Sequence, residues 1–190
     1  MRGALLISSL LMLMAPAVQA APPSAKIPKQ LAESCRPVVE DAGFVTPEGK
    51  KIALSEVVAG RPTALVIIKG YWCPVCQEQL ASSTRQLAKL EAKGAAIIGL
   101  STEDAGTNRM LMKRLRLDFP IYGEPSARLL ERLGFWSKKN GHPIPGILFL
   151  DRCGDVAYRY FGRWPGRGQD ALIEKTLDQL LRAPARCGDA

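Results

Sequence analysis

Two cysteines three residues apart, Cys73 and Cys76 in the run Trp72-Cys73-Pro74-Val75-Cys76, are the residues of this chain best suited to chemistry. Attack on a disulfide needs a thiolate, and an ordinary thiol with a pKa of about 8.5 is mostly protonated at neutral pH. A helix N-terminus changes that balance, because its unpaired N–H groups and dipole favour negative charge. The sequence supplies such a place. Ala64 to Ile68 is a continuous, largely β-branched apolar run that suits a strand buried on both faces, and Leu80, Leu87 and Leu90 follow the cysteines at helical spacing. Pro74 fits the first helical position, where a missing N–H costs nothing. Cys73 is therefore expected to carry the lowered pKa and to attack; Cys76, one turn further on and less exposed, is expected to resolve the mixed disulfide. Run in reverse, the pair donates a disulfide, and the sequence does not set the direction. A zinc site fits poorly, since there is a single Cys-x-x-Cys and a single histidine, His142. A static bridge fits poorly too, since closing so short a loop removes little chain entropy.

The elements that must position this pair are read as follows. Phe44 to Leu54, with Pro47-Glu48-Gly49 between, is a hairpin; Ala64 to Ile68 is a strand; Cys76 to Lys93 is a helix stopped at Gly94. Ala95 to Leu100 is a second buried strand, Asn108 to Leu117 a helix, Phe119 to Tyr122 an extended piece and Pro125 to Leu133 a short helix. Strands Ile147 to Leu150 and Val156 to Phe161 flank the turn Asp151 to Asp155, and Asp170 to Arg182 closes the pattern as an amphipathic helix. Leu31 to Ala42 is a further short helix with Pro37 near its start. Alternating strands and helices followed by a hairpin and a helix predict an α/β fold of three layers, helices on both faces of a sheet.

The N-terminus reads as a secretory signal: Arg2, then the apolar Ala4 to Ala15, then Pro16 and Val18-Gln19-Ala20. The apolar stretch is shorter than the roughly 20 residues that span a bilayer. Residues 1–20 are thus expected to be removed, residues 21–43 to form a lead-in, and 44–190 to form one domain, periplasmic or secreted. The whole chain has 26 Lys plus Arg against 18 Asp plus Glu, a net +8. Carboxylates are interspersed with these charges, so a solvated basic surface is favoured over a nucleic-acid site. No cofactor is implied by the residues.

Residues 44–182 resemble the thioredoxin-like superfamily and specifically its redoxin branch, the alkyl hydroperoxide reductase and thiol-specific antioxidant family. The resemblance is carried by Gly70-Tyr71-Trp72-Cys73-Pro74-Val75-Cys76, Phe119-Pro120-Ile121-Tyr122-Gly123, Pro145 to Asp151 and Gly154-Asp155-Val156. It implies a thioredoxin-like α/β/α fold with a mixed central sheet and an N-terminal hairpin extension. It also implies a cis-proline facing the nucleophile, matched by Pro145, with the backbone of Ile144 open to a substrate peptide. Peroxidases of this branch carry a proline, then a threonine or serine three residues before the cysteine, and later an arginine. This chain has Val66, Gly70 and Pro145 at those places, and Ile67 where thioredoxins keep a buried acid. These departures favour disulfide exchange over peroxide reduction.

Trp72, beside the nucleophile, serves either partner contact or core filling; Lys69 and the lone loop residue His142 are open between a role and none. Strand Val156 to Phe161 spans about 20 Å and helix Asp170 to Arg182 about as much, so the tail carrying Cys187 returns to the turn carrying Cys153. A structural Cys153–Cys187 disulfide is the preferred pairing, with Cys35 left over and its pairing with Cys153 or Cys187 open. The leading expectation is an exported thiol-disulfide oxidoreductase acting on protein thiols or disulfides, with a membrane or periplasmic redox partner. The alternatives are a thiol peroxidase using Cys73 and a copper chaperone using Cys73, Cys76 and His142.

Overall fold

The computed structural model describes residues 43–162 and 167–184. The chain opens with β1 (Phe44–Val45) and β2 (Lys51–Ile52), paired antiparallel, then α1 (Leu54–Val58), β3 (Thr63–Ile67), α2 (Pro74–Ala92) and β4 (Ala96–Ser101). It continues through α3 (Ala105–Leu115), β5 (Ile121–Gly123), α4 (Arg128–Arg132), β6 (Trp136–Ser137), β7 (His142–Pro143), β8 (Gly146–Leu150), β9 (Val156–Phe161) and α5 (Arg167–Arg182). Seven strands form one sheet in the order β2-β1-β5-β4-β3-β8-β9, with β3, β4 and β5 parallel and the rest antiparallel to their neighbours. The mixed α/β architecture and the N-terminal hairpin are as predicted.

Period-two alternation in β3 divides the core. Leu65 and Ile67 face a cluster with α1, α4 and Phe135, whereas Ala64, Val66 and Ile68 face the cluster built by α2, α3 and α5. All five residues of β3 are buried, which is why this run contains no polar side chain beyond Thr63 at its edge. Covered on both faces and flanked by β4 and β8, β3 is a rigid central strand, and the cysteines follow directly from its end.

Helix α2 begins two residues earlier than the apolar spacing alone suggests, with Cys73 as N-cap and Pro74 in the first turn. It buries Leu80, Leu87 and Leu90 and is fastened to α5 along its exposed edge: Arg85 pairs with Asp170, Lys89 with Glu174, and Lys93 with Glu174 and Asp178. The hydrogen bond from Lys93 holds Asp178 below its ordinary carboxylate pKa, and that from Lys89 does the same for Glu174; bonding to Asp178 raises Lys93. A depressed acid stabilises the fold above its unfolded pKa and loses that contribution as pH falls through the folded value. A raised lysine stabilises below its unfolded value and loses it as pH rises through the folded one. The melting temperature is thus expected to fall below about pH 4, and Asp178→Asn to flatten that fall. Because these pairs are exposed, the difference should shrink in high salt.

Candidate redox site

At the C-terminal end of β3 the chain makes a tight turn, Gly70 to Cys73, closed by the Cys73 N–H donating to the Gly70 carbonyl at 3.1 Å. Helix α2 starts at once. Cys73 and Cys76 are joined in a disulfide with Cα atoms 5.3 Å apart. Each sulfur also accepts one backbone N–H: Cys73 Sγ from Cys76 at 3.3 Å, and Cys76 Sγ from Lys69 at 3.4 Å. Cys73 is partly exposed, while Cys76 is 1% exposed and packs among Val66, Ile68 and Leu80. The sulfur at the helix start is therefore the accessible one, and its N–H contact favours a thiolate over a thiol when the pair is reduced.

The two central residues of the turn are held from several sides. The Tyr71 N–H donates to Glu103 Oε1 at 3.2 Å, and the Tyr71 carbonyl accepts from Gln77 Nε2 at 2.6 Å and Arg114 Nη2 at 3.3 Å. Trp72 is 52% exposed, so it does not fill the core. Lys69 Nζ lies 4.9 Å from its ring centroid, a cation–π contact, and the His142 ring meets it edge-on at 6.2 Å. A Cβ built on Gly70 would stand 2.6 Å from Trp72 Nε1. The volume that a side chain at position 70 would take is thus filled by indole.

His142 reaches the site on a hairpin that the helix and strand patterns missed, β6 with β7. Its signal was Asn140-Gly141, a strong turn dipeptide, with Gly141 at φ +65°. Two-residue strands are too short for hydrophobic alternation to betray them. His142 Nδ1 contacts the Pro143 carbonyl at 2.9 Å; because a carbonyl only accepts, Nδ1 is the donor. Among the described residues no three of His, Cys, Asp and Glu gather as a metal site.

The predicted cis-proline is corrected. The Ile144–Pro145 peptide is trans, and Ile144 is not open to a peptide in the manner expected: its N–H donates to the Phe135 carbonyl at 2.8 Å. The Pro145 carbonyl accepts from Gly162 at 3.2 Å. These internal bonds tie the segment to the loop before β6 and to the end of β9. Ile67, at the position aligned with the thioredoxin acid, is fully buried on the other face of β3, and Cys76 packs over Val66 and Ile68.

Away from the site, the β8–β9 turn is built on Asp151, whose Oδ1 accepts from the N–H groups of Cys153 and Asp155. Arg152 Nη2 donates to the Leu181 carbonyl at 2.6 Å, which brings the end of α5 to this turn as the element lengths predict. Cys153 is disulfide-bonded. Cys35 and Cys187 lie outside the described residues, as do the signal sequence and the Leu31 to Ala42 helix.

Residues 36–159, well over half of the chain, match the AhpC/TSA family. The chain belongs to the AhpC/TSA family. Wheat (Triticum aestivum) chloroplastic peroxiredoxin Q is 29% identical over 115 residues, which are 60% of this chain and 52% of that protein. The chain thus spans about half the length of the curated relatives it matches. Among solved structures, a PrxQ mutant from Xylella fastidiosa superposes with a TM-score of 0.68 at 10% identity, covering 76% of this chain and 95% of that one. A putative protein disulfide isomerase from Bacteroides thetaiotaomicron superposes with a TM-score of 0.58 at 17% identity, over 77% and 89%. At these identities the superpositions establish the fold. It is the thioredoxin-like fold of the redoxin branch.

Proposed function

We propose that the protein is a two-cysteine thiol peroxidase of the AhpC/TSA family. The carrying observation is the Cys73–Cys76 disulfide, with the accessible sulfur at the start of α2. The names of its relatives support this reading, and so does the Ile144 N–H, which is bonded to the Phe135 carbonyl rather than open to a substrate peptide. The order of the two enzymatic readings is therefore the reverse of the order drawn from the sequence. Cys73 thiolate attacks the terminal oxygen of a hydroperoxide; the O–O bond breaks, an alcohol or water leaves with a proton, and Cys73 becomes a sulfenic acid. The Cys76 thiol then displaces hydroxide, which leaves as water with the thiol proton, and the disulfide forms. Two electrons from an external dithiol restore the pair.

Disulfide exchange with protein thiols is kept as the second reading because of Gly70. No hydroxyl stands there, and the indole of Trp72 fills the space one would use. Mixing the reduced protein with hydrogen peroxide and, separately, with a disulfide-bonded peptide decides between them. Under the first reading peroxide oxidises the pair at least tenfold faster than it oxidises free cysteine. Peptide exchange outrunning a peroxide reaction no faster than that of free cysteine would make the second reading correct. We further propose that residues 1–20 direct export and that Cys153 pairs with Cys187. Amino-terminal sequencing of the protein from its native cells should begin at Ala21, and a disulfide map of the oxidised chain should join Cys153 to Cys187.

A further inference from the structure

The turn ahead of Cys73 is held by a carboxylate from the loop that follows a neighbouring strand. Glu103 lies just past β4 and bonds the Tyr71 N–H, two residues before the nucleophile. Its own place is set from beneath. The Glu103 N–H donates to Ser101 Oγ at 3.1 Å, the Ser101 hydroxyl donates to Asn108 Oδ1 at 2.7 Å, and Asn108 Nδ2 donates to the Glu103 carbonyl at 3.3 Å. Ser101 and Asn108 are fully buried, one on β4 and the other on α3. A closed polar ring in a dry setting has little freedom, because any member that moved would leave a buried polar group unpaired. The ring therefore fixes the main chain of Glu103, from which the carboxylate reaches Tyr71 at the surface.

We propose that Glu103 is a positioning residue for Cys73: by holding Tyr71 it fixes the Gly70–Cys73 turn, and with it the placement of the Cys73 sulfur against Cys76. The proposal rests on Cys73 and Cys76 being the working pair. Without the Glu103 bond, the turn keeps its closing Cys73 N–H bond to Gly70 and the contacts made to the Tyr71 carbonyl and to the Trp72 ring. Its Tyr71 N–H loses the acceptor that the structure gives it, and the peptide plane between Gly70 and Tyr71 gains freedom. The two sulfurs then spend less time within bonding reach, so the disulfide closes less readily.

The test uses equilibrium with glutathione, which needs no natural substrate. In the full chain, the effective concentration of Cys73 for Cys76 is measured in the wild type, Glu103→Ala and Glu103→Gln, with thermal melting alongside. Glu103→Ala is expected to lower the effective concentration about tenfold, the scale of one charge-assisted hydrogen bond. Glu103→Gln keeps an acceptor oxygen and should recover most of it. Equal values within twofold for all three proteins would overturn the proposal, as would a loss in Glu103→Ala that Glu103→Gln does not relieve. So would a drop in melting temperature with the glutathione equilibrium unchanged, since that describes a purely structural residue. A wild type whose pair does not exchange with glutathione at all would instead overturn the two-cysteine mechanism.

Discussion

Cys73→Ser is expected to abolish turnover, with a loss of at least about 10³-fold whether the oxidant is a peroxide or a disulfide. A serine hydroxyl is protonated at neutral pH and is a poor nucleophile towards sulfur or peroxide oxygen, and among the described residues no side-chain base is hydrogen-bonded to Cys73 to activate it. The fold should survive, because Cys73 lies at the helix start and serine is a favoured N-cap. Cys76→Ser should behave differently. Its partner can still attack once, so one equivalent of oxidant is consumed and the protein then stalls as a sulfenic acid or a mixed disulfide, visible by mass. Equal, full activity in both variants would exclude this pair as the reaction centre. A single-equivalent stall in Cys73→Ser with no reaction in Cys76→Ser would reverse the roles.

The largest effect on stability away from the cysteines is expected at Gly146. This residue begins β8, pairs with Ile67 on one side and Phe161 on the other, and follows the Ile144–Pro145 segment directly. A Cβ there would overlap the Tyr160 carbonyl and lie 2.7 Å from Phe135 Cε1. The first neighbour is backbone of the paired strand, so relief requires β8 and β9 to part rather than a side chain to turn. Phe135 is fully buried and stacked on Phe161, with centroids 4.3 Å apart, so it has no room to retreat. Gly146→Ala should cost about 3 kcal/mol, the upper range of overpacking, and lower the melting temperature by about 10 °C. A change under about 1 kcal/mol in denaturant unfolding would show that the two strands separate more easily than their packing indicates.

The contrast between these positions shows what the sequence made legible. The central strand and the nucleophile helix were plain, because a continuous apolar run and a leucine spacing of 3.6 periods each have one good solution. Cys73 as N-cap with Pro74 behind it was equally plain from local chemistry. Short elements escaped: α1 was absorbed into the reading of the hairpin, and β6 with β7 passed unseen, so His142 was left without a neighbour. The hold on Tyr71 by Glu103, Gln77 and Arg114 was also hidden. Two of those three contacts cross 32 and 43 positions of sequence, and nothing local marks such bonds. At Pro145 the family resemblance misled about backbone geometry. The internal bonds of Ile144 and Pro145, made to Phe135 and Gly162, are tertiary facts that a proline in a sequence does not carry.

The buried side of the redox pair has one more consequence. Cys76 accepts a hydrogen bond from a main-chain N–H, that of Lys69, and lies over Val66 and Ile68 rather than over an acid. Main-chain donors carry no pKa in the working range, and among the described residues no side-chain acid or base is hydrogen-bonded to the inner sulfur. A proton that reaches or leaves the reduced Cys76 would then travel through solvent or the incoming partner rather than through a relay built into the site.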